Sequence, residues 1–221
     1  MSTSYTAVRT SLRTAAIMAV FTLAFTAMMA FTYRITRPAI EASMQEAQLR
    51  LISEILSADS YDNALLDDVI RVQPAPALGM ADGARVWRAR KDGAPVALVV
   101  ESVAPDGYAG RIALVVGVHS NGMLSGVRVT GHKETPGLGD YIDPKKDRRK
   151  DMPWIGQFAV TSWADVDPAQ WKVRKDGGTF GYRTGATISA RAVVEAVGRA
   201  TAFAVQRRDA LFAAPAGTTL Q

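Results

Sequence analysis

Apolar positions along the chain change their rhythm several times. From Thr14 to Tyr33, 20 consecutive residues carry no charge, with Arg9 and Arg13 before them and Arg34 and Arg37 after. At about 1.5 Å per residue this run covers roughly 30 Å, the thickness of a bilayer's hydrocarbon core, and it predicts a transmembrane helix. A cleaved signal peptide is the rival reading, but its apolar part runs to about 7 to 15 residues, and no Ala-x-Ala triplet occurs in this run. Threonines inside the span, Thr22 and Thr26 among them, can bond back to their own helix carbonyls and need not line a channel. After Pro38 the spacing becomes three and four, through Ile40, Met44, Ala47, Leu51, Ile55 and Leu56, which predicts a juxtamembrane helix over 39–57.

A Pro/Ala/Gly-rich stretch over 73–83, with Pro74 and Pro76, excludes regular helix and reads as a connector. Beyond it the rhythm is that of short β-branched runs: 85–90, 96–103, 111–118 and 126–130. Lys91-Asp92-Gly93, Pro105-Asp106-Gly107 and Asn121-Gly122 separate them as turn signals, so the pattern predicts an antiparallel meander. A loop-rich section over 131–181 holds Trp154, Trp163 and Trp171, read as core or interface aromatics. The last rhythm is helical again, with Val193, Val197, Ala200 and Ala204 on one stripe and Arg191, Glu195 and Arg199 on another face. The helix is expected to start near Thr187 or Ser189, whose hydroxyls suit an N-cap. The fold class expected is α+β: a short tail (1–13), a transmembrane helix (14–33), a juxtamembrane helix and connector (34–83), an antiparallel-sheet domain closed by a C-terminal helix (84–208), and a C-terminal tail (209–221).

Composition narrows the chemistry. Hydrophobic residues at 48% and charged residues at 21% suit a packed core rather than disorder. The absence of cysteine excludes disulfides, thiolate metal sites and cysteine nucleophiles, and with His119 and His132 as the two histidines no metal site is expected. The net charge of +5 could point to nucleic acid. The basic run over 145–151 is interleaved with Asp147 and Asp151, however, and reads as a solvated loop, so no nucleic-acid partner is expected.

Two segments could carry chemistry. Arg183-Thr184-Gly185-Ala186-Thr187-Ile188-Ser189 brings hydroxyls to a helix start, where free amides and the dipole favour a phosphate, and Thr187 could bear a phosphoryl ester. Read without chemistry, Thr184, Thr187 and Ser189 are simply capping residues. In Glu134-Thr135-Pro136-Gly137-Leu138-Gly139, two glycines let the backbone approach a flat ligand and Leu138 could cover an apolar ring. The plain reading is a strand exit with a Pro-Gly turn. Tyr108 could cover a ring edge or pack as a turn aromatic, and His132 reads as an ordinary loop histidine beside a ligand-proximal alternative. A hydrolase using Ser189 or Thr187 is disfavoured, because no Gly-x-Ser-x-Gly elbow occurs and histidines are few.

Taken in order, the N-terminal span, Asp106-Gly107-Tyr108-Ala109-Gly110, the loop 134–139, Lys175-Asp176-Gly177-Gly178 and Thr184-Gly185-Ala186-Thr187 before Ala192-Val193-Val194 resemble the G subunit of Rnf ion-translocating ferredoxin:NAD oxidoreductases. The C subunit of sodium-translocating NADH:quinone oxidoreductases is similar but more distant. The resemblance implies an electron-transfer subunit in which Thr187 carries FMN as a phosphoester, installed by an FAD-dependent flavin transferase. Thr184, Gly185, Ala186, Ser189, Glu134, Thr135, Gly137, Leu138, Gly139 and Tyr108 would then line the flavin site. It also implies the other membrane and peripheral subunits of that complex as partners, and a bacterial inner-membrane location with the C-terminal domain on the periplasmic side. Independent catalysis is not expected. The chain departs from the family pattern at Gly181, where an acid is usual, and at Ser189, where threonine is common; Asp176 is a nearby acid that could replace the missing one. A C-type subunit and a cofactor-free, membrane-tethered interaction module remain the alternatives.

Overall fold

The computed structural model describes residues 3–221, in two compact units that divide between Gln48 and Leu49. Helix α1 (Thr3–Ser53) runs through Pro38 without a break, so the two helices expected from the sequence are one. It contains a stretch long and apolar enough to cross a membrane, with mean hydropathy 2.0 and none of that stretch buried in the protein. Thr14, Thr22, Thr32 and Thr36 turn their hydroxyls back onto carbonyls of the preceding turn at 2.8 to 3.0 Å, which hides polar groups that lipid cannot satisfy.

In the second unit a six-stranded sheet has the order β5-β4-β3-β2-β1-β6. The strands are β1 (Val69–Val72), β2 (Ala84–Lys91), β3 (Ala94–Gly107), β4 (Gly110–His119), β5 (Leu124–Gly131) and β6 (Thr219–Leu220). Strands β2 to β5 form the expected meander. Asp92 and Gly93 both take positive φ (50° and 77°), which a tight two-residue hairpin requires, whereas Pro105-Asp106-Gly107, read as a turn, continues β3 and the chain reverses at Tyr108-Ala109. The sheet extends into segments read as connector and tail. β1 pairs antiparallel with β2, and the chain end returns as β6 to pair parallel with β1, so the sheet is mixed at that edge.

Alternation in β3 sorts its residues between two layers. Leu98 and Val100 join Val116, Val127, Val193, Val197 and Phe158 in the larger core, while Ala97 and Val99 face Ile52, Ile55, Leu56 and Trp87 on the opposite side. Helix α2 (Thr187–Ala213) therefore lies on one face and the end of α1 on the other. The C-terminal end of α2 is fixed to β2 by buried Arg88, which donates to the carbonyl of Leu211 at 2.8 Å, and by Arg90, which reaches that of Phe212 at 2.7 Å. Both guanidiniums share Asp68, and cations at these carbonyls complement the helix dipole.

The loop-rich section over 131–181 is ordered around rings. Tyr141, Trp154, Phe158, Phe180, Trp171 and Trp163 follow one another at centroid separations of 4.9 to 5.7 Å, as the core reading of the tryptophans expects. The basic run differs from its sequence reading. Lys145, Lys146, Arg148, Arg149 and Lys150 are exposed, whereas Asp147 is fully buried, because its carboxylate is used inside the protein by the amides of Arg149 and Trp154 and by Arg183.

Candidate functional site

Three segments converge at one end of the sheet. The first is the β3–β4 turn, where Gly107 and Gly110 pair across Tyr108 and Ala109. The second is the loop after β5, and the third is the first turn of α2. Between them lies a cavity of about 250 Å³, lined by Tyr108, Glu134, Thr135, Leu138, Gly139 and the run Gly185 to Ser189. Nine sequence-predicted residues are thus brought together. Thr184 and Gly137 are exposed beside the cavity without lining it, and Ile188 joins the lining unforeseen. Its only signal in the sequence was its place between Thr187 and Ser189.

The helix start is not capped as the hydroxyls promised. The N-cap is Ala186, which makes no side-chain cap hydrogen bond, and no side chain among the described residues accepts from the first-turn amides. Ser189 is 1% exposed and gives its hydroxyl to Glu134 Oε2. Thr187 is half-buried, lines the cavity, and among the described residues its hydroxyl makes no hydrogen bond. The result is a free hydroxyl beside uncapped amides at the positive end of a 27-residue helix, an environment suited to a phosphoryl group.

The turn leading into α2 is held from below. Tyr141, 1% exposed, donates its hydroxyl to the carbonyl of Ala186 at 3.1 Å and accepts the amide of Arg183 at 3.2 Å. Burial raises the pKa of this phenol above its usual value, against the opposing pull of Arg183, so the hydroxyl keeps its proton and can donate. The Arg183 guanidinium stacks on the Tyr141 ring, 4.7 Å from its centroid, and pairs with Asp147. Burial alone would raise the Asp147 pKa, but the amides of Trp154 and Arg149 and the Arg183 guanidinium outweigh it and hold the carboxyl below its usual range. Gly185 sits at φ +88°, a left-handed conformation that glycine takes without steric cost.

Gly181 also has a defined place. Its amide donates to Gln157 Oε1 at 2.8 Å and its carbonyl accepts from Trp154 Nε1 at 2.7 Å. Asp176, the nearby acid, pairs with Arg191 on the exposed side of α2 and does not line the cavity. The acid that does reach the turn is Asp147, 36 residues from Arg183, and nothing in the sequence links the pair. His132 accepts the amide of Glu134 at 3.1 Å through Nδ1, the work of a loop histidine, and lies outside the lining.

The rim is apolar. Tyr108, Leu138 and Ile188 are 68%, 55% and 43% exposed, and together with the glycine backbone they offer flat, greasy surface next to the uncapped helix start. A planar ring system bearing a phosphate matches both halves of this lining.

Comparison with known proteins fits this geometry. A model of the FMN-binding domain matches residues 107–202, and one of the RnfG N-terminal region matches residues 1–55. The G subunit of the ion-translocating oxidoreductase complex of Pseudoalteromonas atlantica is 39% identical over 198 residues, 90% of each chain. Its namesake in Escherichia coli O157:H7 is 42% identical over 199 residues, covering 90% of this chain and 93% of the relative. Among solved structures, Shewanella oneidensis NqrC is similar at 22% identity and a TM-score of 0.42, over 71% of this chain and 72% of that one.

Proposed function

The chain belongs to the family of G subunits of ion-translocating oxidoreductase complexes, and from that premise we propose that it relays electrons through FMN esterified to Thr187. The observation that carries this reading is the hydroxyl of Thr187. Of the three hydroxyls at the start of α2, Thr184 lies outside the cavity, Ser189 is consumed by Glu134, and Thr187 alone lines the cavity with no hydrogen bond among the described residues.

FMN, when bound, supplies the capacity to take up and hand on electrons; the chain supplies position and environment. The first-turn amides of α2 would face the phosphate. Tyr141, Arg183 and Asp147 hold the attachment turn in one shape, which keeps the ester oxygen fixed relative to the cavity. Tyr108, Leu138 and Ile188 would shield the ring faces from water while leaving an edge open for electron exchange. The long apolar helix anchors the protein to the membrane. We place the second unit on the periplasmic side of a bacterial inner membrane, with the remaining membrane and peripheral subunits as redox neighbours and an FAD-using flavin transferase as the maturation partner.

The test is mass spectrometry of the peptide containing Thr187, from protein made in cells that hold the transferase, with flavin fluorescence on a denaturing gel. The reading expects the mass of FMN less water on Thr187 and a fluorescent band that disappears in Thr187→Ala. An unmodified peptide, or a dark band, leaves a cofactor-free interaction module as the better account.

A further inference from the structure

Glu134 closes the back of the cavity. Its side chain is 4% exposed, and its oxygens accept the amide of Ala109 at 3.0 Å and the hydroxyl of Ser189. One carboxylate thereby joins the β3–β4 turn, the loop after β5 and the first turn of α2. The backbone is shaped around it: a Cβ added at Gly107 would come within 2.9 Å of one oxygen, and at Gly139 within 2.8 Å of the other.

What the bracket does not need is a charge. A glutamine has the same shape and could join the same three segments, accepting from Ala109 through its carbonyl oxygen and donating to Ser189 Oγ through its amide. Yet the residue is an acid, both of its partners are neutral donors, and it forms no ion pair among the described residues. A buried, unpaired carboxylate is costly and projects its field into the cavity it lines. Any ligand that gains electrons there gains them against that field.

We propose that the Glu134 carboxylate is a fixed negative charge that holds down the reduction potential of the flavin in this cavity. The inference rests on the FMN reading above and adds to it the residue that sets the relay's electronic level. Glu134 acts as a positioning residue through Ser189 and Ala109 and as a source of field through its charge, and the two roles separate on substitution. Glu134→Gln keeps the bracket and removes the charge; Ser189→Ala removes one donor and leaves the carboxylate less neutralised.

The experiment is a spectroelectrochemical titration of the full-length, flavin-loaded chain in detergent, with flavin content and the melting temperature of the flavin-free form measured in parallel. At a separation of about 10 Å and an effective dielectric of about 20, one charge changes an equilibrium by roughly tenfold. In the flavin-loaded molecules, Glu134→Gln should therefore shift the oxidised-to-reduced ratio about tenfold toward the reduced form, about 30 mV upward for a two-electron couple. Ser189→Ala should move the potential downward, and it carries the test if Glu134→Gln takes up no flavin. A loaded variant whose potential stays at the wild-type value overturns the assignment to Glu134 while leaving the flavin reading intact. Wild-type protein without covalent flavin overturns both.

Discussion

Replacing Tyr141 by Phe tests whether the attachment turn is held from below. The ring is fully retained, so the stacking of Arg183 at 4.7 Å and the edge contact with Trp154 at 5.4 Å survive, and only the hydroxyl is lost. That hydroxyl makes two hydrogen bonds, to the Ala186 carbonyl and from the Arg183 amide. Each is worth about 1 kcal/mol net, and the half-buried groups left behind regain part of their hydration, so the cost is about 2 kcal/mol. For a unit of this size that is a fall in melting temperature of about 4 to 8 °C. The turn from Arg183 to Ala186 also loses its tie to the short helix of Gly139–Ile142, so Thr187 is presented less uniformly and covalent flavin accumulates more slowly. Near-UV circular dichroism melts of the full chain in detergent, with a time course of in-gel flavin fluorescence during maturation, read both effects. A shift below about 1 °C together with wild-type loading would show that the turn holds its shape without Tyr141, and would refute the argument.

Two further outcomes follow from the same site. Because the Thr187 hydroxyl caps nothing, Thr187→Ala in flavin-free protein should change stability by less than about 0.5 kcal/mol, against about 1 kcal/mol for loss of a true N-cap; thermal melts of the unmodified chain separate the two. Asp147 has a native pKa below its unfolded value of about 3.9, so its stabilisation is complete above that value and is lost as pH falls through the lowered native one. Denaturant titrations between pH 7 and pH 2 should therefore show a loss of stability below about pH 4 that is smaller in Asp147→Asn, which starts from a lower plateau; parallel curves would contradict this.

The meander and the last helix were legible because their signals are local: period-two runs, Asp-Gly and Asn-Gly turns, and a stripe of small apolar residues. β1 and β6 were not, since Val69–Val72 is short and abuts Pro-rich chain, and the two residues of β6 become a strand only by pairing across the fold. The cavity residues were legible through an ordered family pattern. Their supports were not: Tyr141, Arg183 and Asp147 act through contacts 36 to 45 residues apart, and the charge run over 145–151 hid that Asp147 belongs to the interior.

The division of labour between Thr187 and Ser189 follows from helix geometry. At 3.6 residues per turn, positions two apart point about 200° away from each other, so the two hydroxyls cannot share an environment. The apolar stripe of α2 decides which one goes inside. Val197 and Val193 are four residues apart, and four residues before Val193 is Ser189, so the serine continues the buried row and Thr187 must leave it. A hydroxyl placed in that row needs a buried acceptor, and Glu134 provides it from 55 residues away. The same row that fixes α2 on the sheet thereby engages one hydroxyl and leaves the other free at the cavity wall, which is the condition for modifying a single residue in a segment containing three candidates.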